Sequence, residues 1–403
     1  MHPIDLTIPS HDEDALAILR QCVANFEKTH RNVPIQITEL SWMTAWSDLV
    51  RIALYKDGAE ISEAGSTWIG SFVGMDALRP YSLPEISKVG GAAAFLPSAW
   101  QNGSLVGDDT VWAIPWLSDA RVIFYWRDML EQAGIDEKTA FQSFDQMEET
   151  LARLQARGVV TPWAVTTRRT PNTLYNISSW VWGAGGDYMS ADGRQMLIAE
   201  PEARAGMARY FGLYRYMPQR HEPMDGIATF DLFQNQNVAA IVSGPWFLKW
   251  LRQRGTSPFA LSRIGVSLLP GPSFVGGTNL VIWKHVAVDH EQLAVELIRY
   301  LVTSPALLDF YHQAGLLPAR RDLLAQPPFS IDPHYHKIIE ALEAGRPHSR
   351  ITMWGLVEDR LVTALAHMWS EVRNDPAQNI AALIEQQLVP LAQRLNATLA
   401  GQR

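Results

Sequence analysis

An α/β fold in two domains is what the sequence predicts, on three observations. The chain has 403 residues, more than one hydrophobic core usually organises. Strand-like and helix-like runs alternate from the first residues onward. Hydrophobic residues make up 47% and charged ones 19%, which supports sizeable cores and argues against disorder.

The elements follow in order. "IDLTIP" alternates as a strand does, and "SHDEDALAILRQCVANFEKTH" places Ser/Asp capping candidates and acidic residues ahead of an amphipathic stripe. "VPIQITEL" reads as a second strand, "WSDLVRIALYKDG" as a helix closed by Gly58, and "EISEAGSTW" as a short strand entering a small-residue loop. Strand, helix, strand, helix, strand at this spacing predicts a largely parallel sheet. "VWAIPWLSDARVIFYW" is apolar but carries Pro115 and Asp119, so it reads as two consecutive strands or a crossing segment rather than as one strand. "SFDQMEETLARLQARG" is a capped helix: Ser143 precedes Gln146 by three, Met147, Leu151 and Leu154 share a face, and Gly158 ends it. "HEQLAVELIRYLVT" is a later helix, and Pro390 implies a kink or break in "AALIEQQLVPLAQRLNATLAG".

Charge and cysteine content narrow the function. The net charge is −8 and no Lys/Arg run is dense enough to track a row of phosphates, which weighs against nucleic-acid and anionic-membrane partners. The single cysteine excludes an internal disulfide framework or a multi-cysteine metal site. Cys22 shares a helical face with Ala15, Leu16, Leu19, Val23 and Phe26, which predicts a small buried hydrophobe. No apolar run reaches the ~18 residues of a membrane-spanning helix. "MHPIDLTIPS" lacks the regions of a signal peptide, which reads as cytoplasmic; a chain whose export signal had been removed would look the same.

Motifs for hydrolase elbows, zincins, dinucleotides and P-loops are missing. "DPHYH" places His334 and His336 two residues apart, but no third ligand is identifiable, so no metal and no cofactor is assigned. Asp119, in the apolar setting "WLSDARVIF", fits a ligand-facing acid and a turn cap equally. Paired carboxylates for glycoside hydrolysis are compatible with the 42 acidic residues, because the separation that matters is spatial. Tryptophan is the strongest signal. Fifteen are present, several at predicted turns, and exposed indoles suit the C–H faces of sugar rings. Trp250, one helical turn after Trp246, is assigned to the core.

These runs resemble, in order over some 300 residues, the extracellular solute-binding proteins of carbohydrate ABC importers of the maltose- and trehalose-binding type. The resemblance rests on "FEKTHRNVPIQIT", "AEISEAGSTW", "ALRPYS", "VWAIPWLSDARVIFYWRDMLEQAGID" and "FQSFDQMEETLARLQARGVVTPWAV". It continues through "VSGPWF" and "LLPGPSFVGGTNLVIWKHVAVDHEQLAVELIRYLVTSPALLDFYHQAGLLPARRDLL". Trp126 departs from it, standing where a small polar residue is usual.

The resemblance implies a two-lobed periplasmic-binding-protein type fold (type II), with sugar held in a cleft between lobes joined by a multi-segment hinge. By analogy the lobes are 1–117 plus 274–315 and 118–273 plus 316–403, with crossings near 117–121, 273–276 and 315–320. It implies a non-catalytic, monomeric, extracytoplasmic receptor, periplasmic or lipid-anchored, that hands carbohydrate to the permease subunits of an importer. Glycine and proline in "VSGPWF" would hold Trp246 rigidly at the edge of a lobe as a stacking platform. Asp119 would accept from sugar hydroxyls, and the Gly276–Gly277 backbone would approach the ligand closely. Trp42, Trp46, Trp68, Trp116, Asn279, Arg350 and Trp354 would line the cleft, with Asp12 at the end of the first strand. The alternatives are a glycoside-processing enzyme or an importer receptor for a non-sugar solute.

Overall fold

Strand and helix alternate through the first 65 residues as their pattern predicts: β1 (Ile4–Pro9), α1 (Glu13–Thr29), β2 (Ile35–Leu40), α2 (Ala45–Tyr55) and β3 (Ile61–Gly65). The structure is a computed structural model that describes residues 3–30 and 34–401; Val33, which the sequence run assigns to the second strand, falls outside them. Asp12 caps α1 by accepting from the Ala15 amide at 2.9 Å, and the buried face of α1 includes Cys22, as its spacing predicts. The Cys22 thiol contacts the Ala306 carbonyl, and burial raises its pKa. It is a core residue.

"VWAIPWLSDARVIFYW" forms two strands, β4 (Ile114–Ala120) and β5 (Val122–Trp126), every residue of both being buried. β6 (Trp163–Ala164), β7 (Ala240–Ser243), β8 (Ile264–Ser267), β9 (Val275–Ile282) and β10 (Leu317–Pro318) complete the set. One sheet runs β10-β4-β9-β3-β1-β2 and the other β6-β7-β5-β8. Parallel pairing joins β1 to β2 and to β3, whereas β9 enters antiparallel to β3 and β5 is antiparallel to both β7 and β8. The sheets are therefore mixed, with parallel pairing in the alternating N-terminal run and between β6 and β7.

The chain divides into two compact units, Met1–Asp119, Val275–His336 and Arg350–Gly355 in the first, Ala120–Phe274, Lys337–Ser349 and Leu356–Arg403 in the second. Residues 315–320 do not carry the expected passage between units, because Leu317 and Pro318 pair with Ser118 and Leu117 at the edge of the first sheet. The core of the first unit gathers Leu49, Phe72, Leu78, Val281 and Trp283. In the second, Trp180, Tyr210 and Trp369 meet edge to face, with centroids 4.8 and 5.6 Å apart.

The helix Phe144–Ala156 starts as predicted, Ser143 accepting from the Gln146 amide, with Met147, Leu151 and Leu154 buried. Pro390 does not break its helix, which runs unbroken over Ile380–Ala400. No helix among the described residues is long and apolar enough to cross a membrane.

Candidate functional site

In the first unit, three indoles converge beyond the carboxyl ends of the parallel strands, where open α/β sheets present their ligand sites. Trp42 precedes α2, Trp46 stands in its first turn, and Trp68 ends the 3₁₀ turn Ser66–Trp68 that follows β3. The Trp68 ring lies 6.4 Å from that of Trp42 and 5.7 Å from that of Trp46, both at 60°. Trp46 also stacks on Phe72 at 5.4 Å, which anchors the group to the core. Trp42 and Trp46 nevertheless stay 47% and 37% exposed, far more than a core would leave them. Gly65 makes the geometry possible: a Cβ there would come within 3.0 Å of the Trp68 indole.

Next to Asp12, the His11 Nε2 lies 3.2 Å from the fully buried Glu63 carboxylate, whose other oxygen accepts from the Thr278 hydroxyl at 2.7 Å. Sequence reasoning missed this trio, because its members are 52 and 215 residues apart and no local spacing joins them.

In the second unit, β7 ends at Ser243, and Pro245 caps the helix Trp246–Gln253. The "VSGPWF" turn thus has the form its sequence predicts. One face of its half-buried tryptophan is covered, however. The guanidinium of the buried Arg121 lies 4.6 Å from the Trp246 ring centroid, as a cation set on an aromatic face. A Cβ at position 244 would come within 2.2 Å of the same indole, so glycine is required where the ring lies against the turn. Trp250, assigned to the core, stacks on Phe247 but is only half-buried, with the Arg254 guanidinium 4.5 Å from its ring centroid, so it borders the core rather than lying inside it.

Arg121 continues the stack toward Tyr175 and Phe274, at 5.3 and 5.7 Å, and those two rings lie face to face at 4.1 Å. Its Nη2 donates to the Asn172 side chain at 2.9 Å. His348 packs on Phe274 and Trp182, and its Nε2 lies 2.9 Å from the Ser178 hydroxyl. Burial, with the nearby charges of Arg121 and Arg346, holds the His348 pKa well below the ordinary histidine value.

The remaining expected residues divide. Asp119 lies in β4, 9% exposed. Asn279 is buried in β9 and its side-chain nitrogen makes no hydrogen bond. Trp354 is buried at the start of the helix Trp354–Asn374. Trp116 is a core residue rather than a lining one: it stacks on Phe310 at 5.2 Å and donates to the Leu301 carbonyl. Arg350 acts as an internal clasp, its Nη1 donating to the Gln101 carbonyl and the Ser104 hydroxyl at 2.9 and 3.0 Å.

Gly276 lies buried in β9 beside Gly277. Gly277 is explained by the sheet: its φ is +119°, and a Cβ would sit 2.0 Å from the Leu117 carbonyl oxygen. Asp12 serves as the helix cap already described. His334 and His336 are engaged locally, by Asp332 and the Ser330 carbonyl, and no metal-binding group of His, Cys, Asp or Glu occurs among the described residues.

Comparison with known proteins places this architecture. Residues 21–337 match the family model described as bacterial extracellular solute-binding protein. The diacetylchitobiose binding protein DasA of Streptomyces coelicolor is 22% identical over 365 residues, covering 87% of this chain and 76% of that protein. Among solved structures, the sugar-binding protein MalE of Xanthomonas citri superposes with a TM-score of 0.83 at 21% identity, over 99% of this chain and 98% of that one. Maltose-bound MalE3 of T. maritima gives 0.80 at 19% identity, over 97% of this chain and 100% of the other. At these identities the likeness to solved structures is one of fold, the two-lobed periplasmic-binding-protein architecture. With a family model matched across most of its length, the chain belongs to the bacterial extracellular solute-binding protein family.

Proposed function

We propose that this protein is the carbohydrate receptor of an ABC importer, binding a sugar or oligosaccharide outside the cytoplasm and passing it unchanged to the permease. The observation that carries this reading is the half-open cluster of Trp42, Trp46 and Trp68, fixed from behind by Phe72. Indoles held at 60° to one another present two faces to successive rings of a ligand, and a flat π surface suits the C–H face of a sugar. DasA is named for a disaccharide of acetylated amino sugar and MalE3 was solved with maltose, which supports the same ligand class here. In this reading Asp119 accepts from ligand hydroxyls, Trp246 contributes an indole edge backed by Arg121, and the protein stands in the periplasm or on a lipid anchor as a monomer without enzymatic activity.

The test is a thermal-shift and calorimetric screen of maltose, longer maltodextrins and chitobiose-type sugars, because a ligand that binds only the folded state raises stability by about 2.7 kcal/mol at a hundred times its Kd. Trp42→Ala should weaken the best sugar by roughly 1–3 kcal/mol without lowering the melting point of the unliganded protein. Unaltered sugar recovered from the complex is expected. Release of reducing ends over hours would establish a glycoside-processing enzyme instead, and stabilisation only by amines, peptides or phosphate esters would establish a non-sugar receptor.

A further inference from the structure

Helix α2 bears two chemistries. Trp46 stands in the indole cluster, whereas Asp48, Arg51, Ile52 and Tyr55, spaced for a common face, look toward the strands on another side. Between that stripe and the edge of the first sheet lies a cavity of about 400 Å³, walled on the strand side by Asp5, Thr7, Thr38 and Leu40 and closed by Asp57 and Gly58 after the helix. Its volume falls in the range of small-molecule sites, roughly 300–1,000 Å³. All of its lining belongs to the first unit.

The lining is that of a site for a hydroxylated cation. It holds three carboxylates, Asp5, Asp48 and Asp57, against the single guanidinium of Arg51, which lies 3.9 Å from Asp48. Asp5 stands on the inner wall, half-buried, where it accepts from the Thr7 hydroxyl at 3.3 Å and from that of Thr38. Glu60 adds repulsion, and burial raises the Asp5 pKa. A carboxylate withdrawn from water and facing a cavity is stabilised by an incoming positive charge. No group of His, Cys, Asp or Glu there converges as metal ligands do, which favours an ammonium over a divalent ion. Leu40 and Ile52 supply an apolar wall, while Thr38, Tyr55 and the outer carboxylates supply partners for hydroxyls.

We propose that this cavity binds a hydroxylated primary ammonium compound of monosaccharide size, a sugar with a free amine being the simplest case, with its ammonium group against Asp5. The site is separate from the indole cluster and takes a different class of ligand.

Three probes of similar shape separate charge from hydroxyls: glucosamine near pH 6.5, where its amine is protonated, and the neutral N-acetylglucosamine and glucose. Amide shifts in the ¹⁵N spectrum of the full chain locate binding. Glucosamine is expected to move the amides of residues 5–7, 38–40 and 48–58 with saturation, the neutral sugars not to. Asp5→Asn should weaken glucosamine at least about tenfold, as loss of a close charge pair does. Trp42→Ala should leave it unchanged. Should Asp5→Asn fail to fold, Asp57→Asn at the exposed rim gives the same readout. The proposal is overturned if glucosamine leaves these amides unmoved, if glucose moves them equally, or if the carboxylate variant that folds binds as the wild type does.

Discussion

Trp246 shows how one neighbour changes a residue's meaning. Its position after Gly-Pro was legible, but Arg121, 125 positions earlier in the sequence, covers part of the indole that the pattern leaves open. Trp246→Ala is therefore expected to lower stability as well as sugar affinity, by about 1–2 kcal/mol for the lost cation–π contact. Chemical denaturation of the unliganded variant checks this; unchanged stability would mean that Arg121 contributes nothing there. His348 makes a second case. Its folded state resists the proton that the unfolded chain accepts near the ordinary histidine value of 6.5. Below that value the unfolded state binds more protons, so stability is full above about pH 6.5 and falls as pH drops from 7 toward 5. His285, pushed down by burial, acts in the same direction. His348→Gln should flatten the dependence without abolishing it, as measured by denaturant midpoints across that range.

At the scale of elements, periodicity and capping read well where a helix or strand is closed by short-range chemistry. Asp12, Ser143 and the α1 stripe are of this kind. The helix Ile380–Ala400 differs, because its packing holds Pro390 inside an unbroken run, with Leu388 and Leu391 buried on either side while the proline itself is exposed. Proline there forfeits a backbone hydrogen bond. Pro390→Ala is expected to stabilise the protein by about 1–3 kcal/mol in a denaturant titration. A loss of stability would show that the proline's shape is needed.

At the scale of the molecule, neither unit is continuous in sequence. The first sheet places β9, from residues 275–282, between β3 and β4. A fragment comprising residues 1–119 lacks that strand and β10, leaving β4 without a neighbour and the inner edge of β3 unpaired. Such a fragment is expected to be largely unfolded by circular dichroism, since buried backbone groups without partners are costly. A cooperative native-like melt of the fragment would contradict the sheet's role.

By itself the sequence determined the α/β class, the order of its first elements, that the 111–126 run is not one strand, and the burial of Cys22. Each rests on periodicity, capping or composition, which act over a few residues. Only the tertiary structure decided which tryptophans serve which end. Trp116, Trp163, Trp180, Trp283, Trp354 and Trp369 are fully buried, while Trp42 and Trp46 stay open. An indole looks the same in sequence whether a distant segment covers it or not. The same holds for Gly277, whose glycine is required by a carbonyl 160 positions earlier. It holds too for the His11–Glu63–Thr278 trio, which exists only because β3 and β9 are paired. Burial and pairing are properties of contacts between remote segments, so a local pattern proposes them and the folded chain disposes.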